Sequence, residues 1–90
     1  MNSRREKRYS IISLPRFEKE LVKLKQETKR RVLRSLLTLE SSPHSFKELH
    51  GSLKGKRTMR IGDYRLIYMI DEKSKTVFIM TITHRRRAYR

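Results

Sequence analysis

The apolar residues of this 90-residue chain change their spacing once, across Ser41-Ser42-Pro43, and that change restricts the folds open to it. Before the break they recur at helical intervals. Phe17, Leu21 and Leu24 fall at i, i+4, i+7, and Val32, Leu33, Leu36, Leu37 and Leu39 line a second stripe. After it they come in short strand-like runs, 58–62, 64–71 and 76–83, separated by Gly62-Asp63 and Glu72-Lys73-Ser74-Lys75. Helices first and strands after, in so short a chain, predict one α+β domain whose helices cover its sheet.

Residues 8–13 (Arg-Tyr-Ser-Ile-Ile-Ser) have the β-branched and aromatic character of a further strand. Leu14-Pro15 ends it, and proline suits a first helical turn, where no amide N–H is needed. The first stripe predicts a helix over about 15–26; Thr28 is placed to cap a second over about 28–41, which Ser41-Ser42-Pro43 terminates. Residues 64–71 are apolar on both faces apart from Arg65, as expected of a central strand. The predicted order is β-α-α-β-β-β: an antiparallel sheet of about three or four strands, a helical hairpin packed on one face, the other face free to bind. No repeat or linker divides the chain, so 1–90 is read as a single domain with residues 1–7 as a flexible arm.

Lysine and arginine number 24 against 9 aspartate and glutamate, a net charge of +15. Ion-paired surfaces mix the two signs; here the acids are too few to neutralise the bases. The field selects a polyanion: nucleic acid, ribosome, anionic membrane or an acidic protein. The absence of cysteine excludes a disulfide framework and a thiolate nucleophile or metal site, and His44, His50 and His84 lack zinc-ligand spacing. No apolar run approaches the roughly 18 residues of a membrane span, and no apolar core of a signal peptide follows the basic N-terminus. The expectation is a cytoplasmic protein without metal or cofactor. The acids do not cluster as a two-metal nuclease requires, and no glycine-rich phosphate loop precedes a helix.

Two constellations can carry chemistry. The first is Arg60, Arg65 and Arg85. An arginine within an apolar strand is costly unless it reaches solvent or an anion. Either an ion pair with Asp63 or Asp71 or a phosphate contact would satisfy it, and guanidinium matches phosphate oxygens bidentately. The second is the terminal run His84-Arg85-Arg86-Arg87-Ala88-Tyr89-Arg90, anchored by the strand before it. Tyrosine can stack on a base or exchange a proton, and imidazoles titrate near neutral pH. Glu48 and His50 are conceivable proton carriers, but a lone loop acid or histidine is more often simply solvated.

The loop Lys47-Glu48-Leu49-His50-Gly51-Ser52-Leu53, the run Met59-Arg60-Ile61-Gly62-Asp63-Tyr64-Arg65-Leu66-Ile67-Tyr68, and Thr83-His84-Arg85 with Tyr89 four residues on together resemble the RelE/ParE superfamily of toxin–antitoxin toxins. The shared pattern is a K-L-x-G loop, an R-x-G-D-Y-R-[LV]-[IV]-Y strand pair and an H-R-x-x-x-Y ending, spread over nearly the whole chain. The resemblance implies a RelE-like fold and, in the RelE-like branch, a ribosome-dependent, metal-independent endoribonuclease that cleaves mRNA in the A site and so inhibits translation. The 2′-OH would attack the adjacent phosphate, leaving a 2′,3′-cyclic phosphate and a 5′-OH.

In that reading Arg65 and Arg85 hold the scissile phosphate and Arg60 acts at the same site. Tyr89 orients or stacks the substrate, and His84 is placed for acid–base work. Lys54, Lys56, Arg57, Arg86 and Arg87 would contact RNA. Thr58 stands where the best-known pattern has a lysine, which leaves the general base open; Lys56 or Arg57 could reach in. The resemblance also implies an acidic antitoxin that wraps the toxin into a hetero-oligomer. ParE-like relatives act on DNA gyrase instead, so a gyrase inhibitor, or a basic ribosome-binding module without cleavage, is the alternative.

Overall fold

In the computed structural model, which describes residues 8–87, the two periods become two helices and a five-stranded sheet. The expected arm 1–7 lies outside the described residues. Strand β1 (Ser10–Ser13) leads into α1 (Pro15–Val22) and α2 (Gln26–Ser41). Strands β2 (Lys47–Glu48), β3 (Arg57–Ile61), β4 (Tyr64–Asp71) and β5 (Thr76–His84) complete a sheet of order β1-β5-β4-β3-β2. The chain crosses the sheet once, through the helices, and returns strand by strand from the far edge. Strand β5 therefore arrives parallel to β1, Ser10 opposite Thr76 through Ser13 opposite Ile79, while the other pairings are antiparallel. The sheet is thus mixed, and its fifth strand is one that periodicity cannot reveal: two residues of a polar loop, Lys47 and Glu48, paired with Thr58 and Arg57.

The helix ends differ from expectation for local reasons. Lys23 N–H turns back to the Glu20 carbonyl and Leu24 N–H to that of Leu21, closing α1 at Val22 rather than near residue 26. Helix α2 begins at Gln26 after an extended Lys25 (φ −66, ψ 152), so Thr28 lies inside its first turn and does not cap it. Glu27 supplies the negative charge that the first turn favours.

One face of the sheet is the core. Phe17, Val32 and Leu39 pack with Met59, Ile61, Leu66, Tyr68, Val77, Ile79 and Ile82. The buried stripe of α2 is narrower than predicted: Val32, Leu36 and Leu39 face inward, but Leu33 is 48% and Leu37 62% exposed. Each of those two lies one residue, about 100° of helical rotation, beyond an inward position. Buried Tyr68 donates its hydroxyl to the Pro43 carbonyl (2.6 Å), joining the central strand to the turn that ends α2. Burial pushes its pKa up to about 12, partly opposed by the Arg57 charge. At the far end of the β4–β5 hairpin Glu72 accepts hydrogen bonds from Tyr9 and Lys75 and contacts His44 Nε2, fastening three chain segments together. No helix among the described residues is long and apolar enough to cross a membrane.

Candidate active site

Register decides which side chains share the face away from the helices. Residues directly opposed in a ladder point the same way. Arg60 is opposite Arg65, and Arg65 opposite Thr83, so these three form one row across β3, β4 and β5. The next row is Lys47, Thr58, Ile67 and Thr81. A register shift after Ile67 leaves Met80 without an opposite residue and returns Tyr68 and Ile79 to the core face. Arg60 is exposed, and Arg65 is half-buried on the central strand. Like charges directly opposed on neighbouring strands destabilise a sheet, so this pair concentrates positive potential at a structural cost.

Arg85 is brought to the same end of the sheet by backbone bonds. The β4–β5 ladder closes with Tyr64 opposite His84, and the Arg85 N–H then donates to the Asp63 carbonyl (2.8 Å), pinning the turn Arg85–Arg87 to the β3–β4 turn. Gly62 holds that turn at φ +60, and a Cβ there would lie 3.0 Å from Arg31 Nη1. The positive φ favours glycine, while the Arg31 guanidinium is the end of a flexible side chain and can yield to a Cβ. His84 falls on the core side. Its ring meets Tyr64 edge-on at 5.5 Å, and its Nδ1 accepts the Arg86 N–H (3.3 Å), which leaves Nε2 to carry the proton of the neutral ring.

A cleft of about 340 Å³ opens beside Arg65, bordered by Lys47, Glu48, Leu49, His50 and Leu53. Sequence reasoning gave Lys47 no role and judged His50 a solvated loop residue, yet both border the cleft with Arg65. Only the pairing of β2 with β3 puts Lys47 beside Thr58, and two residues carry no period to read. Lys54 and Lys56 lie in the loop that leads into β3, the first exposed and the second half-buried. Arg57 faces the core side, where it donates to the Phe46 carbonyl (2.7 Å) and the His44 carbonyl (3.3 Å) and pairs with Glu48 (3.3 Å). Arg86 is exposed in the final turn. Tyr89 and the Arg87 side chain lie outside the described residues. Among the described residues, the ion pairs join Arg8–Glu40, Arg16–Glu20, His44–Glu72, Arg57–Glu48 and Lys75–Glu72, and none involves Arg60 or Arg85.

Residues 11–89 match the family model described as the ParE toxin of the type II toxin–antitoxin system parDE. The chain is similar to RelE4 of Methanocaldococcus jannaschii, described as a toxin: 27% identical over 86 residues, 91% of this chain and 92% of that one. Among solved structures, a chain of the RelBE2 toxin–antitoxin complex from Mycobacterium tuberculosis superposes with a TM-score of 0.81 at 29% identity, covering 86% of this chain and 98% of that one. A chain of the RelE–RelB complex from Pyrococcus horikoshii OT3 matches with a TM-score of 0.72 at 31% identity, covering 89% and 98%. The isolated RelE toxin of E. coli shares the fold, with a TM-score of 0.73 at 22% identity over 84% of this chain and 83% of that one. Sequence match, topology and strand order agree, and the chain belongs to the RelE/ParE superfamily of toxins from type II toxin–antitoxin systems.

Proposed function

We propose that this toxin is a ribosome-dependent, metal-independent endoribonuclease that acts in the cytoplasm and cleaves mRNA in the A site. The observation that carries the reading is the Arg60–Arg65–Thr83 row with Arg85 fixed at its end, on the sheet face that the helices leave open. Attack by a ribose 2′-OH forms the O2′–P bond and breaks the P–O5′ bond. The 2′ proton goes to a base, and the leaving O5′ takes a proton from an acid. In between, phosphorus is pentacoordinate and carries extra negative charge, which fixed guanidiniums stabilise without reorganising. Arg65 and Arg85 hold the phosphate and Arg60 adds charge beside them. Tyr89 orients the substrate; His84, whose ring faces the core side of β5 against Tyr64, is given no proton transfer on this face. Lys54, Lys56, Arg86 and Arg87 supply contacts to the RNA backbone; Arg57, held by two carbonyls, contributes less.

A cognate acidic antitoxin is the proposed partner in a hetero-oligomer, as in the relatives solved as toxin–antitoxin complexes. Exposed Val22 (68%), Leu33 and Leu37 on the helical hairpin support a partner that covers it. In-vitro translation with the purified toxin and primer extension of the message tests the activity. Defined cuts should appear on ribosome-bound message, and Arg65→Ala and Arg85→Ala should abolish them while binding antitoxin normally. The parDE description of the matched family keeps one second reading in view, inhibition of gyrase without cleavage. Loss of gyrase supercoiling with intact message would establish that reading instead.

A further inference from the structure

A second and larger cleft, of about 480 Å³, lies between α1 and the end of β5, bordered by Glu20, Lys23, Tyr64, Ile82, Thr83, His84 and Arg86. It exists because β1 covers β5 only as far as Ile79. Beyond that point the edge of β5 is closed by a side chain. Glu20 Oε1 accepts from the Thr81 hydroxyl (2.6 Å) and the Ile82 N–H (2.9 Å), while its Oε2 accepts from Arg16 (3.2 Å). Both carboxylate oxygens are thus held, and the Arg16 pair offsets part of the negative charge that Glu20 brings to the cleft wall. What remains at the rim is cationic or aromatic: Lys23, Arg86, and the edge-on pair Tyr64–His84, with Ile82 as an apolar floor. The cleft wraps around the strand edge, so Thr83 reaches it from the arginine row, and the Thr83 hydroxyl is buried without a hydrogen-bond partner among the described residues.

We propose that this cleft is a nucleotide subsite, which takes the nucleotide next to the one cleaved. The base lies against Tyr64 and His84, and its phosphate lies between Lys23 and Arg86. The volume falls in the range of small-ligand sites. An aromatic surface with flanking cations fits a base and its phosphate together, whereas an acidic peptide needs the cations alone. His84 and Arg86 flank Arg85 in sequence, so a nucleotide seated here leaves its neighbouring phosphate beside the Arg60–Arg65–Arg85 group. This inference rests on the RNA-cleaving reading, and it gives Lys23 and Tyr64 a role in substrate selection.

The test is binding of 5′-AMP, 5′-CMP, 5′-GMP and 5′-UMP to the full chain, followed by amide chemical shifts, with inorganic phosphate and a short poly-glutamate peptide as controls. Nucleotides should bind saturably, shift the amides of Lys23, Tyr64, His84 and Arg86, and outcompete inorganic phosphate by about tenfold, on the scale of one stacked base. Exposed Lys23→Ala should weaken nucleotides about tenfold, Tyr64→Phe should retain them and Tyr64→Leu should not, and exposed Lys73→Ala, in the distant β4–β5 hairpin, should leave them unchanged. Equal binding of phosphate and nucleotide, a preference for poly-glutamate, or shifts confined to Arg60, Arg65 and Arg85 would overturn the proposal. Mononucleotide binding does not depend on cleavage. A toxin that binds nucleotides here but cuts no message would refute the nuclease reading and leave the subsite standing; one that cuts but binds none would do the reverse.

Discussion

Replacing Arg60 by methionine separates a charge held for function from one that supports the fold. Arg60 is exposed and directly opposite Arg65, and among the described residues it has no ion pair. Methionine keeps most of the unbranched stem and removes only the charge. A directly opposed like-charge pair costs about 0.2–1 kcal/mol, so Arg60→Met should stabilise the toxin by that amount. For a domain of this size that is about 1–8 °C in Tm. The gain should shrink as salt rises, because the repulsion is largely solvent-exposed. Cleavage should move the other way, falling about 10²–10³-fold if Arg60 touches the phosphate in the transition state and less if it acts only through the field. Thermal melts at low and high salt, beside ribosome-programmed cleavage at saturating toxin, give both numbers. A variant that melts lower than the parent, or one equally stable whose cleavage is intact, refutes the idea that the pair is strained for the sake of an anion.

Three further outcomes follow from the same geometry. Tyr68→Phe leaves the buried Pro43 carbonyl without its donor and should cost about 1–3 kcal/mol in urea unfolding, with activity of the folded fraction unchanged. Leu39→Ala should cost about 2–5 kcal/mol, whereas Leu37→Ala, at 62% exposure, should stay within about 0.5 kcal/mol and weaken antitoxin binding instead. Hydrogen bonds from Lys75, His44 and Tyr9 lower the Glu72 pKa from 4.5 to about 2; its contribution is therefore complete above pH 4.5 and disappears as pH falls through 2, so Glu72→Gln should flatten the acid limb of stability between those values.

How much of this was legible differs from residue to residue. An arginine in an apolar strand marks Arg65 directly, and the two-residue turn Gly62-Asp63 carries Arg60 to its side, since so short a turn leaves one register. The order of elements was legible because each run is long enough to show its period. The cleft residues were not. Lys47 reaches the site through a two-residue strand, and Glu20 meets β5 only because β1 stops at Ile79. On α2 all five apolar residues fit a helical stripe, but the sheet surface admits a narrower one, so Leu33 and Leu37 stay outside. Register and edge coverage are tertiary properties, and local patterning cannot report them.

The net charge of +15 explains less than the placement of the acids. Glu20 closes the edge of β5, Glu48 holds Arg57, Glu40 holds Arg8, and Glu72 fastens the far hairpin to Tyr9 and His44. Asp71 accepts from Lys73 N–H and the Ser74 hydroxyl within that hairpin, and Glu18 and Glu27 sit in first helical turns. These seven carboxylates are thus committed to joints or helix ends, and none of these residues belongs to the Arg60–Arg65–Thr83 row. Asp63, the acid nearest that row in sequence, contributes its backbone carbonyl to fix Arg85. The backbone that carries these arginines is therefore positioned by strand register and a glycine turn. Backbone placed that way brings the arginines to one end of the sheet before any anion arrives, which lowers the reorganisation needed to stabilise charge that exists only in a transition state.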